Sequence, residues 1–361
     1  MKMRKIVCSF MISVVCFMTA ISGVSATSYD TSKINAAYSK VVEYYKNNNN
    51  LNNADKILAV ESLGLEAESN QFDTSSANLS STSLSKKIVT EVLLGVDPTK
   101  DKETLESQID ENGNVEGSWG ASSDVWTLYA LYVTSSEKTN LIANKLNDEL
   151  AASSVCGYEW GGTYYADYDT TGWVIEGLAV VNKEKYATTI NKAIDYIKNN
   201  TTMTTTGWVT ADNVDTQSQV LEGMFAYDTN ALLNDSYTVH PVDCLLNTQL
   251  SDGSFPSGYN AEYTTAEVAK KLVTYKNGSV IIKAKKAYDK MMNPEQPDNT
   301  KPAQPTDTKK DSQSTNKVET TNQKTTSVKT GDETNVVIFV SLSMVSGGLF
   351  LVLRKEYERV H

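Results

Sequence analysis

Two carboxylates in the middle of the chain have a spacing that acid catalysis could use. Asp167 and Asp169 stand directly before Thr170 and Thr171. A carboxyl group that is partly buried and held by its neighbours can act as a strong general acid, so Asp169 is the candidate proton donor. Asp215 occupies the equivalent place in a later segment, and a helix N-cap explains both aspartates through bonds to free backbone N–H groups. The N-cap is the favoured interpretation, and no other catalytic residue is predicted.

Cysteine and histidine are sparse. Two of the four cysteines fall within residues 1–26, which leaves Cys156 and Cys244, and His240 is the single histidine of residues 27–292. Zinc accepts His, Asp and Cys, but adjacent residues on a helix, such as Asp243 and Cys244, point about 100° apart and make poor joint ligands. Cys244 is therefore predicted to be a small buried residue, and no metal or other cofactor is expected. At most one disulfide, between Cys156 and Cys244, is possible.

Aromatic side chains are concentrated in and just after the loops between predicted helices. Aromatic rings with a few carboxylates suit a pocket for a glycan, a corrinoid or an isoprenoid. Alternatively, the tryptophans hold neighbouring segments of the chain together by packing between them. This is the better explanation for Trp126 and Trp173, because both fall on predicted helices. For Trp119, Trp160 and Trp208 both explanations stay open. The predicted binding residues are Trp119, Trp160, Tyr164, Tyr165, Asp167, Trp208 and Tyr259.

A sequence repeat positions these residues. Four stretches each combine a Gly/Trp-rich loop, an Asp or Thr at a helix start, and a helix that closes on Leu or Met about every 47 residues. A period of this length is typical of stacked helical hairpins. Six inner apolar helices alternating with outer amphipathic ones predict an all-α protein, an α/α toroid (a six-hairpin α6/α6 barrel) over residues 27–292. The six inner helices are predicted over 54–66, 82–95, 122–133, 170–181, 216–227 and 263–274.

The repeat motifs resemble those of a known group of proteins. The loops Gly-Ser-Trp-Gly at 117–120 and Asp-Gly-Ser-Phe at 252–255, each followed by an Asp/Thr helix start, are similar to the repeats of terpenoid cyclase and protein prenyltransferase toroids. The closest likeness is to exported bacterial proteins with squalene-cyclase-like repeats. The resemblance implies the toroid fold rather than one chemistry, since related toroids include cobalamin carriers and thioester domains. As an enzyme, such a chain would be a cyclase in which Asp169 protonates an alkene, although Thr170 stands where the cyclase motif has another aspartate.

The two ends of the chain predict export and anchoring. Residues 1–26 have the basic start, apolar run and small-residue exit of a secretory signal peptide. Residues 293–326 are rich in Pro, Thr and Lys without an aromatic residue, which predicts a solvated, extended linker. Residues 327–361 hold Thr330-Gly331, an apolar transmembrane span at 336–353 and a basic cytoplasmic tail. This order resembles the Gram-positive sorting signal, in which a sortase cleaves between Thr and Gly. A plain C-terminal membrane anchor is the alternative.

Charge narrows the choice of partners. The chain carries a net charge of −11, and such an acidic surface disfavours nucleic acid and anionic membranes as partners. The sequence therefore predicts an extracellular, wall-anchored toroid that binds a ligand or partner at its loop-bearing end and catalyses nothing. Its expected partners are a sortase, peptidoglycan and an unknown corrinoid, isoprenoid or glycan. A cyclase-like enzyme and a structural wall or adhesion component are the alternative functions.

Overall fold

The computed structural model describes residues 28–48, 50–67, 72, 79–160, 162–205, 208, 213–235, 237–258 and 260–294. This part of the chain is mostly helical, with eleven helices and one β-hairpin, so the predicted all-α class is confirmed. None of its helices is long and apolar enough to cross a membrane. The predicted signal peptide, most of the linker, the Thr330-Gly331 pair and the span at 336–353 lie outside the described residues.

Apolar helices alternate with amphipathic ones along the chain. The elements are α1 (Ser32–Asn47), α2 (Ala54–Ser62), α3 (Ser81–Leu93), α4 (Thr99–Ser107), α5 (Ala121–Val133), α6 (Thr139–Ser153), β1 (Gly157–Trp160), β2 (Thr163–Ala166), α7 (Tyr168–Asn200), α8 (Val214–Asn234), α9 (Pro241–Leu246), α10 (Ala261–Asn277) and α11 (Val280–Met292). Each of the six predicted inner helices overlaps one of these, namely α2, α3, α5, the first parts of α7 and α8, and α10.

The two long helices are each two helices joined through one residue. Asn182 in α7 and Asp228 in α8 have extended backbone angles, with φ of −168° and −152°. The Asn182 side chain accepts a hydrogen bond from the backbone of Lys185, and Asp228 does the same for Ala231. Each residue thus caps the start of a second helix. The inner segments end at residues 181 and 227, where the apolar pattern places their ends.

Side-chain caps set where most of the apolar helices begin. The caps of α2, α3, α7, α8 and α10 are Asn53, Ser80, Asp167, Asn213 and Asn260. The prediction that Asp169 and Asp215 are the N-caps is wrong by two positions. A cap residue has extended backbone and precedes the first turn, as Asp167 and Asn213 do, whereas Asp169 and Asp215 lie within that turn.

The six apolar helices form a closed cycle of contacts. Helix α2 packs on α3, α3 on α5, α5 on α7, α7 on α8, α8 on α10, and α10 packs back on α2. We call this set, with the first parts of α7 and α8, the six-helix ring. Trp126 and Trp173, at equivalent places in α5 and α7, have ring centroids 6.3 Å apart. Three residues further along both helices, Tyr129 contacts Glu176 at 2.7 Å. The two helices therefore run in the same direction, and the loops before them lie at one end, which we call the loop end.

Two glycines allow a close approach of α7 and α8. A Cβ on Gly172 would lie 2.4 Å from the carbonyl oxygen of Gln219, and one on Gly223 would lie 2.5 Å from the carbonyl oxygen of Gly172. Neither distance is possible for a real side chain, because it would place carbon inside a neighbouring backbone. The two helices thus meet backbone to backbone.

The last helix departs from the predicted arrangement. The apolar stripe of Val280, Ile281, Ala284, Ala287 and Tyr288 predicts an amphipathic helix in the outer layer. Instead, α11 packs on α2, α3 and α5, and Ser279 just before it donates a hydrogen bond to Glu176 of α7. The buried residues of α11 are Val280, Ile281, Ala284 and Tyr288. An amphipathic stripe shows that one face is buried but not which helices cover it.

Candidate functional site

Trp119 is the most exposed large apolar side chain described at the loop end. It precedes α5 and is 87 % exposed. Its loop is held in place, because its backbone N–H donates to the Ser123 hydroxyl and the Ser118 hydroxyl donates to Asp124 at 2.6 Å. Asp124 is in turn paired with Lys145 at 2.9 Å. A fixed loop therefore presents a bare indole ring to solvent.

The β-hairpin adds two exposed tyrosines at the same end. Tyr164 and Tyr165 on β2 are 43 % and 44 % exposed. The hydroxyl of Tyr164 donates to the carbonyl of Val155 at 2.8 Å, which holds this strand against the end of α6. Asp167 follows the hairpin and caps α7 by accepting from the backbone and hydroxyl of Thr170. Asp167 is thus committed to the helix start, while the side chains of Trp119, Tyr164 and Tyr165 are exposed to solvent.

Other predicted binding residues are placed differently. Trp208 is only 1 % exposed, and its indole N–H donates to the Thr201 hydroxyl at 2.9 Å. The prediction that Trp208 contributes to a binding surface is therefore wrong, since its ring is packed inside the protein. Trp160 ends β1, but its side chain and all of Tyr259 are outside the part of the chain that is described.

Asp169 lies in the first turn of α7. Burial raises the pKa of Asp169 to about 6, a hydrogen bond from Thr216 of α8 opposes this, and the charges of Asp167 and Asp215 add to it. Asp215 repeats the pattern one helix further on: burial raises its pKa, and a hydrogen bond from Thr264 acts in the opposite direction. Each aspartate thus contacts a threonine at the start of the next ring helix. This repeated contact between neighbouring helices indicates a structural role for both aspartates.

The sparse cysteine and histidine residues do not converge on one site. His240 caps α9 through Nδ1, Asp243 pairs with Lys33 at 3.0 Å, and the Cys244 thiol donates to a backbone carbonyl 2.9 Å away. Cys156 and Cys244 are both buried and free, and burial raises the pKa of the Cys156 thiol to about 12. Within the described ranges, no group of three or more His, Cys, Asp or Glu residues could hold a metal ion.

A network of buried charges fills the six-helix ring, and sequence reasoning missed it. Lys271 lies 2.5 Å from Glu222 and 3.1 Å from Glu267, and Lys270 lies 2.8 Å from Glu267. Glu176 belongs to the same set, and all five side chains are at most 3 % exposed. Glu176, Glu222 and Lys270 follow one another at about the repeat period. Charged residues that recur at this period within apolar helices were the signal that could have found the network.

Glu176 is the acid of this network whose hydrogen-bond partners are hydroxyl groups. Its two oxygens contact the hydroxyls of Tyr129, at 2.7 Å, and Ser279. The Tyr129 oxygen also lies 3.0 Å from the carbonyl oxygen of Trp173. The Tyr129 hydroxyl has one proton for these two acceptors, so a protonated Glu176, which could itself donate to Tyr129, is compatible with both contacts. Burial raises the pKa of Glu176 to about 8, and the charge of Glu222 raises it further. The raised pKa indicates a mostly neutral Glu176 at pH 7.

The described side chains inside the ring enclose a small cavity beside α11. A cavity of about 10 Å³ persists there, which is room for about one water molecule. It is too small for a corrinoid or an isoprenoid, and Asp169 is not among its lining residues. The polar and aromatic side chains that line it are Trp126, Tyr129, Trp173, Glu176, Glu222 and Lys270.

Comparison with known proteins identifies no relative. No protein-family model, no curated protein and no solved structure matches the chain. The function is therefore inferred from the chain's own residues and geometry.

Proposed function

We propose that this protein is a non-catalytic binding module, displayed on a Gram-positive cell wall, that recognises a surface glycan through aromatic side chains at the loop end. The observation that carries the proposal is the exposure of Trp119, Tyr164 and Tyr165 on loops before adjacent ring helices. Flat aromatic rings with one face in solvent suit the apolar faces of sugars and need no enclosing cavity.

The helix arrangement supports the finer fold assignment behind this proposal. A closed cycle of six apolar helices, with amphipathic helices between several of them, is what an α/α toroid requires. The small size of the cavity beside Trp126, Trp173 and Glu176 favours recognition at the exposed loop end over enclosure of a corrinoid or an isoprenoid between these residues. A cyclase would need an apolar chamber around Asp169, and the contacts of Asp169 with Thr216 favour a structural role instead.

Replacement of Trp119 with alanine tests the binding surface. We expect Trp119→Ala to weaken binding of residues 27–292 to purified Gram-positive cell walls by at least about tenfold, because exposed tryptophans carry much of the energy of such contacts. Co-sedimentation over a range of wall concentrations measures the affinity. Met292→Ala is the matched control, since Met292 is also exposed, at 51 %, but lies at the end of α11. Equal binding by both variants would reject the proposal that the aromatic surface binds the wall. If the native protein does not bind, a structural wall component is the better description.

Display on the wall is tested separately. We propose that a sortase cleaves between Thr330 and Gly331 and joins the Thr330 carboxyl group to peptidoglycan, as the order of sorting motif, apolar span and basic tail predicts. In a Gram-positive host, Thr330→Ala is expected to abolish the form that muramidase digestion releases from the wall. The variant should then be found in the membrane fraction, held by the apolar span. If the amount released by muramidase does not change, the plain membrane anchor is the better description.

A further inference from the structure

We propose that α11 is a releasable plug, and that the pocket it covers at the centre of the six-helix ring takes a small hydroxylated ligand when the helix is displaced. This site is distinct from the aromatic surface at the loop end and does not depend on how the protein is anchored. The apolar side chains of α11 do not match the polar surface beneath them.

The floor of the pocket is polar. Glu176 and Glu222 are each 2 % exposed, Lys270 is 3 % exposed, and all three line the central cavity. Trp173 lines the same cavity, and its buried indole nitrogen has no hydrogen-bond partner among the described residues. The ring of Trp126 completes the floor. Carboxylates, an ammonium group, an indole donor and aromatic rings are together the groups that bind hydroxylated ligands such as sugars.

The cover of the pocket is apolar. Val280 and Ile281 are the residues of α11 that face these groups across the cavity. Ser279 supplies one polar contact, its hydrogen bond to Glu176. Aliphatic side chains cannot satisfy the free indole N–H of Trp173, and a cavity of about 10 Å³ is left between cover and floor. A helix that had evolved only to complete this core would be expected to match its polar groups more closely.

Apart from the buried apolar face of α11, the described contacts that hold this helix on the ring are the Ser279–Glu176 hydrogen bond and one ion pair at its edge. Lys283 donates to the carboxylate of Glu61 at 2.7 Å and to the Glu61 carbonyl at 2.6 Å. The Lys283 side chain is 46 % exposed, so this contact can be lost without opening the ring. The chain beyond residue 292 enters the predicted linker, so a pull on the linker would act on α11 first. The helix is therefore placed to open before the ring does.

Amide hydrogen exchange of the exported protein, read by mass spectrometry, tests the plug. We expect amides in α11 to exchange at least about tenfold faster than the slowest amides of α5 and α7, because a locally opening element exchanges without global unfolding. Lys283→Met should speed exchange in α11 by about three- to tenfold and leave α5 and α7 unchanged. Lys286→Met is the matched control, since Lys286 lies on the same helix and is exposed.

The ligand is tested by hydroxyl-radical footprinting of Trp126 and Trp173. Labelling should rise in Lys283→Met relative to Lys286→Met, and N-acetylglucosamine should reduce it again. Either of two results would overturn the plug. The amides of α11 would exchange as slowly as those of α5 and α7, or Lys283→Met would raise the exchange rate in all helices alike. Labelling that rises but does not respond to N-acetylglucosamine would overturn the assignment of a hydroxylated ligand. Neither result bears on wall binding through Trp119.

Discussion

Lys271→Met is expected to lower the free energy of unfolding by about 3–5 kcal/mol, the usual cost of removing one partner from a buried ion pair. The Lys271 ammonium group forms ion pairs with two carboxylates, Glu222 at 2.5 Å and Glu267 at 3.1 Å, and the Lys271 side chain is 1 % exposed. Methionine keeps most of the apolar volume, so the variant removes the charge rather than the packing. Urea denaturation followed by far-UV circular dichroism measures the change.

An exposed ion pair provides the control for this prediction. Lys198 and Asp235 lie 2.7 Å apart, with side chains 32 % and 44 % exposed. Lys198→Met should cost less than about 1 kcal/mol, because water already solvates both charges. The double variant Lys271→Met, Glu222→Gln should recover part of the stability lost by Lys271→Met, since it removes a carboxylate left without its lysine. If Lys271→Met costs no more than Lys198→Met, the network does not hold the ring together.

Glu176 is expected to make the protein less stable as the pH rises. Burial first, and then the charge of Glu222, raise the pKa of Glu176 to about 8 from its ordinary value of 4.5, against the effects of Lys271, Ser279 and Tyr129. The folded state therefore holds a proton that the unfolded state releases. The contribution of Glu176 to the free energy of unfolding is complete below about pH 4.5 and is lost as the pH rises through about 8. A pKa difference of one between the folded and unfolded states corresponds to about 1.4 kcal/mol, so the rise from 4.5 to about 8 corresponds to a loss on the order of 5 kcal/mol.

The variant Glu176→Gln isolates this effect, because glutamine has no proton to lose and keeps both a donor and an acceptor. We expect its free energy of unfolding to fall less than that of the native protein between about pH 5 and about pH 8. Glu91→Gln is the control. Burial also raises the pKa of Glu91 to about 8, so Glu91 is expected to contribute part of the pH dependence of the free energy of unfolding. Infrared spectra at pH 7 should show a protonated carboxyl band that is weaker in Glu176→Gln than in the native protein, with Glu91 contributing to the remainder. If both variants keep the full pH dependence of the native protein, Glu176 is ionised in the folded state.

The positions of the ring helices could be predicted from the sequence because helix formation here is mainly local. Apolar residues recur at helical spacing, and the repeat period identifies equivalent helices. Even the ends of two inner helices, at residues 181 and 227, follow from the pattern, since Asn182 and Asp228 carry side chains that cap the next helix. The position of α11 could not be predicted in this way, because its stripe is compatible with any apolar surface.

The candidate site was predicted only in part, because equivalent motifs have different surroundings. Trp119 and Trp208 both belong to Gly/Trp loops, yet one is 87 % exposed and the other 1 %. Trp208 is buried where its indole can donate to Thr201, whereas the loop of Trp119 is held by contacts of its neighbours. No local pattern distinguishes the two rings. A tryptophan in a loop suits either role until the chain around it is folded.

The sequence by itself determined the helical class, the repeat and the inner helices, because these depend on backbone capping and on apolar spacing between near neighbours. Only the tertiary structure decided which aromatic rings face solvent, where α11 lies and which charges are buried. Glu176, Glu222 and Lys271 have the composition of a solvated surface, and in isolation each would be costly to bury. They are buried because residues about one repeat apart meet inside the ring and supply the counter-charges and hydroxyl groups that each one needs.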